Sequence, residues 1–324
     1  TDPIGDLSIH GDINSFEEKV NNTANLLEKA SKELPNLRIL NLSAQHFHNA
    51  GSTIVQELGF SLSLLSEYMD IFTRSGLKGD TIARSLQVNF STGPVYFMEI
   101  AKYRAARLLF SQLLKAWEIE NDNIAKMYVH AMTSEWNQTI YDSYVNMLRG
   151  TTEGMSAALG GVNSISILPF DKPFRKPTDF AERIARNTQI ILKEEAYLDK
   201  VVDPSAGSYY IENLTNALVK HAWDLFLETE ENSGYIHALK TGFINSKIED
   251  SARKRDLNIA MGREVLTGTN KYPNQSEFSP EDLDQNVAFP KSKVDSTIPV
   301  LKKYRGAEAF EKLRLQTEKS EKTP

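Results

Sequence analysis

A chain of 324 residues, 40% hydrophobic and 25% charged, has an ordinary globular composition and room for one large domain or two modest ones. A formal charge of −6 argues against a nucleic-acid or anionic-membrane surface, and the lack of cysteine removes disulfides, thiolate nucleophiles and Cys-ligated metals together. No apolar run approaches the ~20 residues that span a bilayer, and Thr1-Asp2-Pro3-Ile4-Gly5 has no part of a secretory signal, so a cytoplasmic protein is expected.

In chain order, Ser15 and Glu18 have the spacing of a capping box, and Phe16, Val20, Ala24, Leu27 and Leu34 then share one helical face. Pro35-Asn36 ends that helix, and Leu37 to Leu42 reads as a short strand. A second helix carries Ile54, Leu58, Leu62, Leu65, Met69 and Phe72 on one stripe; Ser85 to Phe90 reads as a strand. The next helix turns Met98, Ala101, Ala105, Leu109, Leu113 and Trp117 to the core. A strand at Ala125 to Met132, a helix at Tyr144 to Leu159 and a strand at Ser164 to Leu168 follow. Strands separated by helical crossovers pair in parallel under helices, and about four such units precede residue 195. A closed barrel has eight, so the pattern is half a barrel or an open, doubly wound sheet. Beyond Pro177, Thr178 to Leu198 and Leu214 to Thr229 read as long helices around the turn-rich Asp203 to Ser208. From Lys271 no period is sustained, and Lys319 to Pro324 reads as a frayed tail.

Three loops at carboxyl ends of strands are candidate sites, because barrel enzymes collect their catalytic groups there. In Gln45-His46-Phe47-His48-Asn49-Ala50-Gly51, histidine suits acid, base or electrophilic chemistry, although a His-x-His also fits simple hydrogen bonding in a loop. No third ligand at a convincing spacing makes it a metal site. His130 to Asn137 could line a pocket, with Trp136 packing at an interface; Phe170-Asp171-Lys172-Pro173 is the third loop. Arg104, Arg107, Arg183 and Arg186 read as ion-pair or interface residues.

Four strings occur in a telling order: Ile100 to Arg107 (IAKYRAAR), Ala158 to Gly161 (ALGG), Phe180 to Gln189 (FAERIARNTQ) and Asp203 to Tyr210 (DPSAGSYY). On these the chain resembles the methylmalonyl-CoA mutase family over nearly its whole length, to about Leu315. Ser134 to Asn137 and Tyr144 to Arg149 look like the small, or beta, subunit of the bacterial heterodimeric enzymes. The resemblance implies a (β/α) TIM-barrel fold and an isomerase that interconverts methylmalonyl-CoA and succinyl-CoA, with adenosylcobalamin as radical source. It also implies a partner, the large (alpha) subunit, which binds the CoA ester and the adenosylcobalamin, while the small subunit is a degenerate copy with no cofactor or metal of its own.

Matched position by position, the resemblance implies a vestigial site with no catalytic residue. The family histidine is His46, five residues before Gly51, but Gln45 stands where an active chain has tyrosine. Met132 and Glu135 stand where an active chain has the Gln and Gly that face the corrin, and Lys172 replaces a Glu near the adenosyl ribose. No Asp-x-His-x-x-Gly string, the family's lower cobalt ligand, occurs, and the stretch after Phe310 is short for a cobalamin domain. The segment from Asp2 matches the family near mid-barrel. The expected organisation is therefore the second half of a barrel over residues 1–176, a helical extension over 177–270, and an extended linker and tail over 271–324. The expected function is a non-catalytic small subunit. Two alternatives stand beside it. One is a catalytic acyl-CoA mutase chain that uses His46 with a separate cobalamin domain; the other is an unrelated barrel enzyme that uses His46, His48 and Glu135.

Overall fold

Four strands pair in parallel in the order in which they follow one another along the chain. The computed structural model describes residues 1–119, 121, 124–290 and 296–321. Its elements are α1 (Pro3–His10), α2 (Phe16–Glu33), β1 (Leu40–Leu42), α3 (Gln45–Asn49), α4 (Ile54–Arg74), α5 (Gly79–Arg84), β2 (Leu86–Thr92), α6 (Tyr96–Ala116), β3 (Val129–Thr133), α7 (Val145–Leu159), β4 (Ser164–Ser166) and α8 (Asp179–Glu194). They continue as α9 (Tyr209–Glu231), α10 (Gly234–Lys240), α11 (Phe243–Ala260), α12 (Gln285–Ala288) and α13 (Glu308–Glu321). The molecule is an α/β fold in which α4, α6, α7 and α8 each follow a strand. No helix among the described residues is long and apolar enough to cross a membrane.

The helix stripes read from the sequence are the ones that pack. Leu58, Leu62, Leu65, Met69 and Phe72 of α4 are buried, as are Ala101, Ala105, Leu109 and Leu113 of α6. They meet Leu40, Leu42, Leu86, Val88, Phe90, Val129 and Ala131 of the sheet in one continuous core. Each large side chain so buried contributes about 1.5–3 kcal/mol. Helix α4 begins in a capping box: Thr53 Oγ1 accepts from Gln56 N–H at 3.2 Å, and Gln56 Oε1 accepts from Thr53 N–H at 2.9 Å. Helix α9 lies across the outer side of α4 and α6, and Arg104 ties it down through Glu212 (2.7 Å), Thr215 (3.1 Å) and Asp203 (3.2 Å).

Several expectations are corrected. Ser15 does not form a capping box with Glu18; its hydroxyl donates to Asp12 instead, at 2.7 Å, because the Asp12 carboxylate is nearer and already gathers the amides of Asn14 and Ser15. Leu34 is not on the buried face of α2, since it lies beyond the helix end and is exposed. Three strands are shorter than read, because pairing spans only Leu40–Leu42 in β1, Val129–Thr133 in β3 and Ser164–Ser166 in β4, whereas β2 runs on to Thr92. The reading of 271–324 as aperiodic missed α13, whose inner face mixes Leu315 and Phe310 with the carboxylates of Glu311 and Glu318. Glu311 accepts from Ile140 N–H at 2.7 Å and pairs with Arg305, and Glu318 accepts from the Tyr141 hydroxyl at 2.8 Å. A helix anchored by carboxylates shows no apolar stripe. Of the expected tail, Pro324 and the two residues before it lie outside the described residues.

Candidate functional site

The strands alternate apolar with polar, as in Leu86-Gln87-Val88-Asn89-Phe90-Ser91, with Met132 the exception in Val129-His130-Ala131-Met132, and the register aligns the alternation across the sheet. Under the helices lie the apolar side chains. The opposite face carries Asn41, Gln87, Asn89, Ser91, His130, Met132, Ser164 and Ser166. These side chains bond laterally: Gln87 Nε2 donates to Asn41 Oδ1 at 3.1 Å and to Asn89 Oδ1 at 2.9 Å, and His130 Nδ1 lies 2.8 Å from Ser164 Oγ. Barrel interiors are ordinarily filled by branched apolar residues, so this face is built to meet polar groups or water. The alternation was visible in the sequence and marks these residues as the ones that strand-end reasoning missed.

At the carboxyl ends of β1, β3 and β4 the chain forms a cleft of about 1170 Å³ lined by His10, His46, Glu135, Lys172 and Lys303 among others. Segment 297–306 crosses this end of the sheet as a strap. Leu301 N–H donates to Ser8 O at 2.8 Å, Tyr304 N–H to Asn49 O at 3.0 Å, and Gly306 N–H to Trp136 O at 2.8 Å. The last contact requires glycine, because a Cβ on residue 306 would stand 2.5 Å from the Trp136 ring. Trp136 is fully buried, with Tyr304 edge-on at 6.2 Å and the Arg255 guanidinium 3.3 Å above it, so it packs within the chain.

Glu135 joins these parts. Its Oε1 accepts from Lys172 Nζ at 2.6 Å, and its Oε2 pairs with Lys303 Nζ on the strap. The Glu135 side chain is only 14% exposed. Burial lowers the pKa of both lysines. Two of the positions singled out in the sequence, Glu135 and Lys172, therefore answer each other directly, whereas no local pattern around Lys303 marks it as their third member.

His46 lines the same cleft, with its pKa lowered by burial against the opposing pull of Asp2 and Asp6. Gln45 is half-buried beside it and its Oε1 has no hydrogen-bond partner. Met132 lies on the polar sheet face and does not join the clasp around Glu135. His48 turns away into the core, its Nε2 2.8 Å from Ser134 Oγ, and burial holds its pKa well below the ordinary value. The reading that teams His48 with His46 and Glu135 loses a member. Asp171 is buried in a structural role, accepting from Arg175 Nε at 3.0 Å and Thr178 Oγ1 at 2.8 Å at the start of α8. Among the described residues no cluster of three or more His, Asp or Glu is arranged to hold a metal ion.

Behind the cleft lies a buried charge network. Lys102 Nζ reaches Glu57 at 3.0 Å, Glu99 at 2.5 Å and the carbonyl of Ser91. Burial pushes Glu57 up to about 7 despite Lys102. Glu153, accepting from Ser134 N–H at 3.0 Å and Asn137 Nδ2 at 2.7 Å, is pushed by burial to about 8.

Comparison with known proteins agrees with this architecture. The family profile described as methylmalonyl-CoA mutase matches residues 2–319. The chain belongs to the methylmalonyl-CoA mutase family. It is 46% identical to the methylmalonyl-CoA mutase small subunit of Porphyromonas gingivalis over 296 residues, 91% of this chain and 48% of that one. It is 34% identical to the small subunit of Streptomyces virginiae over 313 residues, 97% of this chain and 49% of that one. Against the large subunit of Porphyromonas gingivalis the identity is 35% over 274 residues, 84% and 38% of the two chains. Within the family the chain is thus similar to small subunits, and it spans about half the length of those relatives.

Proposed function

We propose that this chain is the second half of a (β/α)8 barrel in the small subunit of an adenosylcobalamin-dependent methylmalonyl-CoA mutase, and that its own site performs no chemistry. In this reading residues 1–176 form the half-barrel, 177–270 a helical extension packed on it, and 271–324 the linker and tail. Isomerisation of methylmalonyl-CoA to succinyl-CoA belongs to the large subunit, the heterodimeric partner, which binds the adenosylcobalamin; the assembly is cytoplasmic. The polar sheet face supports descent from a barrel that passes a polar ligand along its axis.

The observation that carries the non-catalytic reading is the engagement of both Glu135 carboxylate oxygens by Lys172 and Lys303. A flat corrin facing β3 needs a small residue there and meets a carboxylate clasped by two ammonium groups. Displacing that carboxylate breaks two charge-assisted hydrogen bonds. These residues do not fit the cofactor, so no reaction step runs through it on this chain. His46 remains, but a histidine without its neighbouring tyrosine and an open cofactor face has nothing to act upon. The test is reconstitution: adenosylcobalamin and an acyl-CoA, added to this chain with an isolated cobalamin domain, give no turnover. Turnover above that of the domain alone overturns the reading in favour of a catalytic chain that uses His46.

A further inference from the structure

The Glu135 clasp has the composition of an anion-binding site whose anion is covalently attached. Lys172 and Lys303 approach one carboxylate from opposite sides, one at the end of β4 and the other on the strap. The cleft around them is richer in cations than this pair needs. Of the cationic side chains lining it, Arg175 is neutralised by Asp171 and Asp282, and Arg305 by Glu311. The remaining cations of the lining are Lys172 and Lys303, both on Glu135, with Lys176 and Lys302; the other carboxylate of the lining, Glu308, pairs with Lys312, and Lys176 and Lys302 have no ion pair among the described residues. Glu308 acts on Lys303 only from beyond ion-pair distance, so removal of Glu135 leaves a half-buried ammonium pair that gains by taking up another anion in direct contact.

We propose that Lys172 and Lys303 form a carboxylate-binding site that Glu135 occupies from within, so that an external carboxylate bridges these two ammonium groups only by displacing it. The ligand class follows from the resident group, a single carboxylate held by one ammonium on each oxygen. The arrangement is self-occupying: the same contact that fills the ammonium pair fastens the strap across the end of the sheet. Its partners also differ in hold. Lys303 is 52% exposed and free to swing, whereas Lys172 is more enclosed, at 34%. Displacement therefore begins at Lys303 and loosens the strap on that side. The inference concerns the same cleft as the mutase reading but does not rest on it, since it holds whichever chain performs the chemistry.

Chemical rescue of the full chain tests it. Glu135→Ala melts below the wild type in chloride and recovers in acetate at equal ionic strength, and calorimetry finds acetate bound at least about tenfold more tightly than by the wild type. The double variant Glu135→Ala with Lys303→Ala loses that preference for acetate. Glu135→Gln, which keeps the side-chain shape and so protects the fold, provides a second reading: acetate stabilises it more than chloride does. Equal stabilisation by the two salts in both Glu135 variants, or recovery that survives loss of Lys303, overturns the proposal.

Discussion

Glu153 is the residue at which burial and charge conflict most directly. Its folded pKa of about 8 stands above the ordinary carboxyl value, so the folded chain holds a proton that the unfolded chain has already released. Its contribution to stability is therefore intact in acid and is lost as pH rises through about 8. The slope is at most about 1.4 kcal/mol per pH unit. Glu57 and Glu230, each pushed up to about 7 by burial, act with the same sign. Asn137 Oδ1 has no partner, so a flip of that amide lets it accept from a neutral group at position 153. Glu153→Gln is accordingly tolerated, and urea midpoints at pH 5.5, 7 and 8.5 show the variant gaining on the wild type as pH rises. A constant difference across those three points contradicts the assignment.

Among the elements, α9 depends on one side chain of α6. Arg104 holds Glu212 and Thr215 of α9 and Asp203 of the preceding turn, next to Val202, which is 96% exposed. Arg104→Glu removes three donors and sets like charges together, a loss of about 2–3 kcal/mol, and protease cleavage near Val202 accelerates while the core stays protected. The same scale shows what the sequence made legible. α4 and α6 were readable because Leu58, Leu62, Leu65 and Met69 recur at helical spacing and pack where that spacing points. α11 and α13 were not, because α11 buries only Ile244, Asn245, Ile248 and Ile259, and α13 is anchored through Glu311 and Glu318. In the cleft, His46, Glu135 and Lys172 could be named in advance because each follows a strand. Lys303 could not, because only the folded chain brings the strap back from its far end to meet Asn49 and Glu135.

For the whole molecule, the sheet stops at β4, which pairs only with β3 among the described residues. Closure with further strands is part of the proposed barrel, and it bears on His46. Within an assembled heterodimer, His46→Ala in this subunit leaves turnover within about twofold of the wild type if, as proposed, the reacting centre lies on the other chain. A loss of about 100-fold, the scale of a missing acid–base group, places the chemistry here instead.

The amide, hydroxyl and imidazole row along the polar face of the strands sets how this sheet is held together. Its polar groups bond to one another along and across the strands, so this face adds little hydrophobic stabilisation. The strands are instead suspended from their surrounding jacket of helices, and loosening α4 or α6 unhangs them. Conversely, the polar row can be altered without disturbing the apolar layer that carries the stability.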